Sequence, residues 1–304
     1  MVGCRVCSHF CKIAPGQRGI CGVRENQDGK LVVLNYGQII AAHIDPIEKK
    51  PLYHFLPGSM TYSIAAAGCN FRCLNCQNWE ISQGCHSEES RVIRDDEESR
   101  NTWGEKFSPQ EVVENAIKNN CPSISYTYTE PTIFVEFALE CMKLAHKKGL
   151  KNIWVSNGYM SPETLNLVAP YLDAINVDLK SMNEEFYQRV CGAHLQPVLD
   201  NLIKLTKIYP PEHQRVVGER RRINFIHLEV TTLIIPGEND SAKELKDIAE
   251  FIVRKLGAET PWHVSRFFPH YKMPDIPPTP VEKIYEAIKI GKNIGLKFVY
   301  GGNL

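Results

Sequence analysis

From Tyr62 onward the chain alternates short apolar, β-branched or aromatic runs with longer helix-patterned stretches, and this rhythm restricts its fold more than any other feature. The runs are Tyr62 to Ala67, Ser123 to Tyr128, Asn152 to Ser156, Ala174 to Leu179, His227 to Ile235, Trp262 to Phe267 and Leu296 to Tyr300. Strands rejoined through helices run parallel, with each helix crossing over one face of a shared sheet. Six such strands and a seventh at the end of the sequence predict an α/β chain built as a partial parallel (β/α) barrel rather than an open doubly wound sheet. Helix starts are punctuated. Ser108-Pro109-Gln110-Glu111 and Thr279-Pro280-Val281-Glu282 each supply a capping hydroxyl, a proline for the first turn and a returning carboxylate, and Ser161-Pro162 opens a third helix in the same way. Gly149 and Gly295 follow basic helix ends and predict C-terminal stops.

Ahead of the barrel, Cys4, Cys7, Cys11 and Cys21 fall in the first 21 residues, followed by Leu31 to Tyr36 and Ile39 to Ile44, which meet at Tyr36-Gly37 as a hairpin would. The division expected is a small Cys-rich N-terminal lobe over residues 1–50 and a barrel over 51–304. Eleven cysteines are an odd number, and no apolar segment precedes them as in an export signal, so metal or redox chemistry in the cytoplasm is the expectation, not a disulfide scaffold. Thirty-five basic and thirty-five acidic residues balance, which argues against a globally basic nucleic-acid binder. Runs such as Ile64 to Ala67 are far short of the roughly 20 residues a membrane span needs. Two charged or proline-rich stretches, Ser87 to Arg100 and Pro210 to Arg222, read as solvated connections.

The sharpest chemical signal is Gly68-Cys69-Asn70-Phe71-Arg72-Cys73-Leu74-Asn75-Cys76, which ends the first barrel strand with three thiols inside eight residues. Three thiolates on one loop suit a [4Fe-4S] cubane that keeps one iron open, because such a cluster otherwise takes four cysteines. Zinc would instead ask for a fourth ligand, with His86 or Cys85 available. That alternative makes the chain a zinc-stabilised barrel acting as a binding or scaffold module.

The Cys-x3-Cys-x2-Cys loop after a first barrel strand resembles the cluster-binding signature of radical S-adenosylmethionine (SAM) enzymes. The resemblance implies a barrel of the radical SAM type, in which the cluster reductively cleaves SAM to a 5′-deoxyadenosyl radical that takes a hydrogen atom from a substrate. Tyr126-Thr127-Tyr128-Thr129-Glu130-Pro131 resembles the segment whose glutamate meets the SAM ammonium; an acid heading a helix is the other reading of Glu130. Val155-Ser156-Asn157-Gly158 and Asn176-Val177-Asp178-Leu179-Lys180 close the next two strands. Their likeness to pyruvate formate-lyase-activating enzymes assigns Lys180 to the SAM carboxylate, with Ser156, Asn157 and Asp178 beside it; a surface ion pair competes for Asp178 and Lys180. His263 and Arg266, in Trp262 to Lys272, are further candidates for SAM or substrate.

Longer segments, among them His43 to Gly58, Cys76 to Gln83, Glu229 to Gly237 and Thr260 to Met273, are similar to the radical SAM component of the AmmeMemoRadiSam system. The likeness implies SAM, a reductant such as flavodoxin or ferredoxin, and a partner-protein substrate or Memo-like and AMMECR-like proteins as partners. A glycyl-radical-type activating role is one version of the activity, a small-molecule or nucleotide substrate another. Asp45 to Gly58 is expected across the barrel mouth. This sequence has Asn75 where the family often has an aromatic residue and Phe268 where it often has histidine, and it stops at Leu304 where relatives continue into a Cys-Pro-x-Cys tail. Truncation or a dispensable tail is the expectation there. Cys4, Cys7, Cys11 and Cys21 can together close on a second metal, zinc or an auxiliary iron-sulfur cluster, with His9 a weak spare ligand. Cys85, Cys121, Cys141 and Cys191 read as isolated thiols, Cys141 as a core residue of a helix over Phe134 to Lys148.

Overall fold

A computed structural model describes residues 1–84, 103–208 and 226–304. Ser87 to Arg100 and Pro210 to Arg222, together with Cys85 and His86, lie outside the described residues.

All seven expected strands form, and one more joins them. In chain order the central sheet comprises β1 (Ala41–Pro46), β2 (Met60–Ala65), β3 (Ser123–Tyr126), β4 (Lys151–Ser156), β5 (Ala174–Asp178), β6 (His227–Ile234), β7 (Trp262–Arg266) and β8 (Val299–Gly302). Its spatial order follows the sequence without a reversal, β1 at one edge and β8 at the other. Strands β2 to β8 are parallel, whereas β1 pairs antiparallel with β2 from Ala41 opposite Ala65 to Pro46 opposite Met60. Sequential parallel order with helical crossovers is barrel topology, and edge strands that do not pair leave the barrel partial. The crossovers include Pro109–Lys118, Val135–Lys147, Pro162–Val168, Leu195–Ile208, Ala242–Phe251 and Val281–Ile294.

Local chemistry explains most of these boundaries. Ser108 accepts from the Glu111 amide, and the Glu111 carboxylate accepts from the Ser108 amide, closing a capping box. Ser161 accepts from the Thr164 amide at 3.1 Å. Gly295 ends its helix at φ +113°, in the region that favours glycine. Thr279, however, does not cap the last helix. Its hydroxyl donates to the Ile234 carbonyl and accepts from the Phe267 amide, tying the ends of β6 and β7 together, so the helix starts at Val281 with no side-chain cap.

The expected hairpin is also corrected. Arg24–Gln27 pairs with Lys30–Val33, Gln38–Ile39 pairs with Glu105–Lys106, and Ala41–Pro46 enters the central sheet, so Leu31 to Tyr36 and Ile39 to Ile44 do not face each other. Asp28-Gly29, both at positive φ, makes the turn that Tyr36-Gly37 was expected to make. Cys141 lies fully buried in Val135–Lys147, as expected of a core thiol.

Asp45 to Gly58 does not cross the mouth. It closes the opposite end of the barrel, where the strands begin. Ile47 and Leu52 pack on Ile153 and Ala174, and Phe55 stacks on His227, the first residue of β6. A wholly buried Glu229 side chain anchors this floor by accepting from the Tyr53 and His54 amides, with the His227 and His263 rings at 2.8 and 2.6 Å. Burial pushes the Glu229 pKa up, but the bonds from His227, His263 and the two amides outweigh it and hold the group at about 2. Asn176 adds a bond to the Pro51 carbonyl at 2.8 Å. The wrong end was expected because charge and aromatics read as a rim, whereas here they serve to pair polar groups inside a seven-stranded parallel core.

Candidate functional site

Above that floor the barrel holds a cavity of about 450 Å³, opening at the C-terminal ends of the strands. Its walls bring together Cys69, Cys73 and Cys76 from the loop after β2, Glu130 after β3, Ser156 and Asn157 at the end of β4, and Asp178 and Lys180 at the end of β5. Lys49, Lys50 and Pro51 line it as well. Strand alternation explains the set: Thr231 and Leu233 face the cavity, so Glu229, two residues back on the same face, lies beneath it.

The cysteine loop is held from three sides. Gly68 sits at φ +103°, where an added Cβ would lie 2.6 Å from Val23 Cγ1 and 2.9 Å from the Cys21 carbonyl, so the loop leaves the strand pressed against the N-terminal lobe. His9 from that lobe hydrogen-bonds the Asn70 carbonyl at 2.7 Å, which gives it a structural partner in place of the spare-ligand role. On the far side the Arg72 amide donates to the Cys191 carbonyl and the Leu74 amide to Val190. Cys191 is therefore not isolated: the backbone bonds hold it against the Cys73 turn, and the two thiols influence each other, the Cys73 pKa moving down and that of Cys191 up. Burial pushes the thiols of Cys69 and Cys76 up.

Glu130 is almost wholly buried, and burial pushes its pKa up against the pull of its donors. Oε1 accepts from the Thr132 amide and the Thr132 and Ser156 hydroxyls, and Oε2 accepts from the Asn157 amide at 2.8 Å. Glu130 also heads the short helix Pro131–Phe134, as its helix-head reading expected. Lys180 Nζ donates to Asp178 at 2.8 Å; burial opposes its charge, but Asp178 and Cys73 more than restore it. Asn157 Nδ2 reaches Asn70 Oδ1 at 2.7 Å, linking β4 to the cysteine loop.

Two of the expected site residues stay out of the cavity wall. His263 is committed to Glu229 below, between Tyr53 and Tyr300, and Arg266 Nε donates to the Thr279 carbonyl with its guanidinium over Phe268. Sequence reading missed others. Buried Lys50 pairs with Asp45 at 2.7 Å and lies 4.4 Å from the Tyr128 ring centre, and Asn239 anchors the Lys180 carbonyl at 2.7 Å. Nothing in the pattern marked Lys50. Two buried oxygens on the cavity wall, Asn75 Oδ1 and Thr231 Oγ1, have no hydrogen-bond partner. Unpaired polar atoms are costly, so their place on a ligand cavity points to a ligand that pairs them.

In the N-terminal lobe, Cys4, Cys7, Cys11 and Cys21 come close enough for their charges to be felt mutually, and burial pushes Cys7 to about 12 and Cys4 and Cys21 upward. The Arg24 side chain, salt-bridged to Glu136 at 2.6 Å, faces Cys4 and Cys21. Among the described residues no three His, Cys, Asp or Glu side chains gather tightly enough to hold one metal ion. The loop thiols instead spread along one cavity wall, which fits a cubane, whose iron corners each take a separate thiolate. Among the described residues no helix is long and apolar enough to cross a membrane.

Comparison with known proteins agrees with this geometry. The profile of the Radical SAM superfamily matches residues 63–252. An uncharacterized protein of Methanocaldococcus jannaschii is 43% identical over 303 residues, covering 100% of this chain and 81% of the relative. The (2S)-3-sulfopropanediol dehydratase activating enzyme of Klebsiella oxytoca is 26% identical over 163 residues, 52% of this chain and 46% of that enzyme. Among solved structures, that of Streptococcus suis SuiB aligns with a TM-score of 0.52 at 9% identity, covering 79% of this chain and 48% of SuiB, a likeness of fold alone.

Proposed function

The chain belongs to the radical SAM superfamily, whose enzymes use a [4Fe-4S] cluster and SAM, and from that premise we propose that Cys69, Cys73 and Cys76 hold the cluster while Glu130, Ser156, Asn157, Asp178 and Lys180 hold SAM. The observation that carries this reading is the sharing of one cavity by the three thiols, a buried carboxylate and a partly buried ammonium. When bound, reduced cluster and SAM supply a 5′-deoxyadenosyl radical that abstracts hydrogen from the substrate.

The protein's own groups then have definable work. A carboxylate offers about four lone-pair sites, and Glu130 spends three donors on Oε1 but one on Oε2, which leaves Oε2 free to accept from an ammonium. Lys180 uses one of its three donors on Asp178, and the remainder can meet a carboxylate. Ser156 and Asn157 orient Glu130 more than they offer contacts of their own. Similarity to activating enzymes supports a partner-protein glycine as one substrate, with flavodoxin or ferredoxin as reductant, and a small molecule or nucleotide as the other; Memo-like and AMMECR-like proteins remain part of the proposal as partners. Cys4, Cys7, Cys11 and Cys21 are proposed to hold a second metal, an auxiliary iron-sulfur cluster in preference to zinc, since the four thiols do not converge on one ion.

Anaerobic reconstitution tests the assignment. Brown protein with about four irons and matching sulfide is expected for one cluster, and about eight if the N-terminal quartet holds another. Reconstituted protein given SAM and dithionite is expected to release 5′-deoxyadenosine. Iron-free, colourless protein after reconstitution would overturn the reading.

A further inference from the structure

Behind the cavity wall, next to the cysteine loop, lies a thiol the mechanism does not use. Cys191 ends the helical turn Tyr187–Cys191 and is completely buried, whereas Cys73, on the loop packed against it, is partly exposed and lines the cavity. The backbone fixes the two residues against each other through the bonds from Arg72 and Leu74 to Cys191 and Val190, at 2.7 and 2.9 Å. Gly192 completes the clamp at φ +66°, since a Cβ there would lie 3.1 Å from Arg72 Cβ. Cys73 lines the cavity and Cys191 does not.

We propose that Cys191 is the resolving cysteine of Cys73, protecting this residue when the protein carries no cluster and meets peroxide. Hydrogen peroxide oxidises the Cys73 thiol to a sulfenic acid with release of water. The Cys191 thiol then attacks the sulfenic sulfur; the S–O bond breaks, a second water leaves, and a Cys73–Cys191 disulfide forms. A sulfenic acid with no thiol beside it proceeds to sulfinic and sulfonic acids, which cannot ligate iron and are not reversed by thiols. The disulfide is returned to two thiols by a dithiol reductant, which is itself oxidised. Partial exposure selects Cys73 as the oxidised member, and burial reserves Cys191 for the second step. The proposal rests on the preceding reading only in treating Cys73 as a cluster ligand.

The experiment treats cluster-free full-length protein with hydrogen peroxide, then maps disulfides and oxidised cysteines by non-reducing peptide mass spectrometry. Expected is a peptide pair joined through Cys73 and Cys191, with iron uptake restored to the untreated level after dithiothreitol. In Cys191→Ser the same dose is expected to drive Cys73 to sulfinic and sulfonic acid and to reduce later iron uptake several-fold, while Cys141→Ser behaves as wild type. Linkage of Cys73 to Cys69 or Cys76 instead, or equal survival of Cys73 in Cys191→Ser, would overturn the proposal. The wild-type map stands even if Cys191→Ser folds poorly. Full iron uptake with the Cys73–Cys191 disulfide intact would count against the ligand assignment and leave the resolving role standing.

Discussion

The two ends of the barrel treat polar groups in opposite ways. At the floor, Glu229 and Asp45 are each surrounded by donors: two rings and two amides for Glu229, and Lys49, Lys50 and the Tyr128 hydroxyl for Asp45. At the mouth, Asn75 and Thr231 keep buried oxygens unpaired, and Cys69, Cys73 and Cys76 line the cavity. A saturated network contributes stability and fixes a conformation, whereas an unsaturated wall gives up stability and waits for a ligand. Substitutions at the two ends should therefore fail in different ways: floor changes lower stability, and mouth changes lower activity.

The largest effect is expected at the mouth. Cys76→Ala should abolish 5′-deoxyadenosine formation and most iron binding while moving the denaturation midpoint little, since Cys76 is partly exposed. Retained SAM cleavage would break the ligand assignment. At the floor, Glu229→Ala removes the shared acceptor of four donors and should cost about 3–5 kcal/mol in chemical denaturation. A normal midpoint would show that the segment from Ile47 to Gly58 is not held through Glu229.

Acid should act through the same carboxylate. The Glu229 pKa is held at about 2 in the folded chain against an ordinary 4.5, so its stabilisation is fully present above pH 4.5 and is lost as pH falls from 4.5 toward 2. The loss over that window is about 3 kcal/mol, and Glu229→Gln should flatten the profile there. Asp45, held low by Lys50 and Tyr128 against the opposing effect of burial, adds a loss in the same direction, so the Gln variant retains part of the slope. Glu130→Gln comes next in size. One acceptor oxygen and the charge are lost, so SAM should bind about tenfold more weakly, about 1.4 kcal/mol by equilibrium dialysis, and unchanged affinity would place the SAM ammonium elsewhere.

Sequence reading located one end of the molecule far better than the other. The mouth was legible because its chemistry is carried by short contiguous motifs: Cys69 to Cys76, Glu130, and the Asp178 and Lys180 pair all fall at strand ends that the apolar runs already mark. The floor was not, because Glu229 and His263 belong to different strands and meet Tyr53 and His54 only after the sheet curls. A histidine on a strand looks the same in sequence whether it faces a ligand or a buried carboxylate. Thr279 misled for a related reason: a hydroxyl ahead of Pro280 has the pattern of a cap, yet two strand ends compete for it and win. Cys191 escaped notice because its partner is 118 residues away and its own surroundings carry no motif.

The smallest change separates the two ends most cleanly. Thr231 Oγ1 is buried on the cavity wall without a partner, so Thr231→Val exchanges an unsatisfied hydroxyl for a methyl group of similar size. Deleting a paired buried hydroxyl normally destabilises a protein, but deleting an orphan removes a desolvation penalty with no bond lost. The variant should be as stable as wild type or more stable by up to about 1 kcal/mol, the opposite sign to any floor substitution. If the hydroxyl serves the bound ligand, the same variant should lose turnover or SAM affinity by a few-fold despite its added stability. A stability loss above about 1 kcal/mol would mean that the hydroxyl is already paired in the folded protein, and the contrast between a saturated floor and an expectant mouth would fail at that residue.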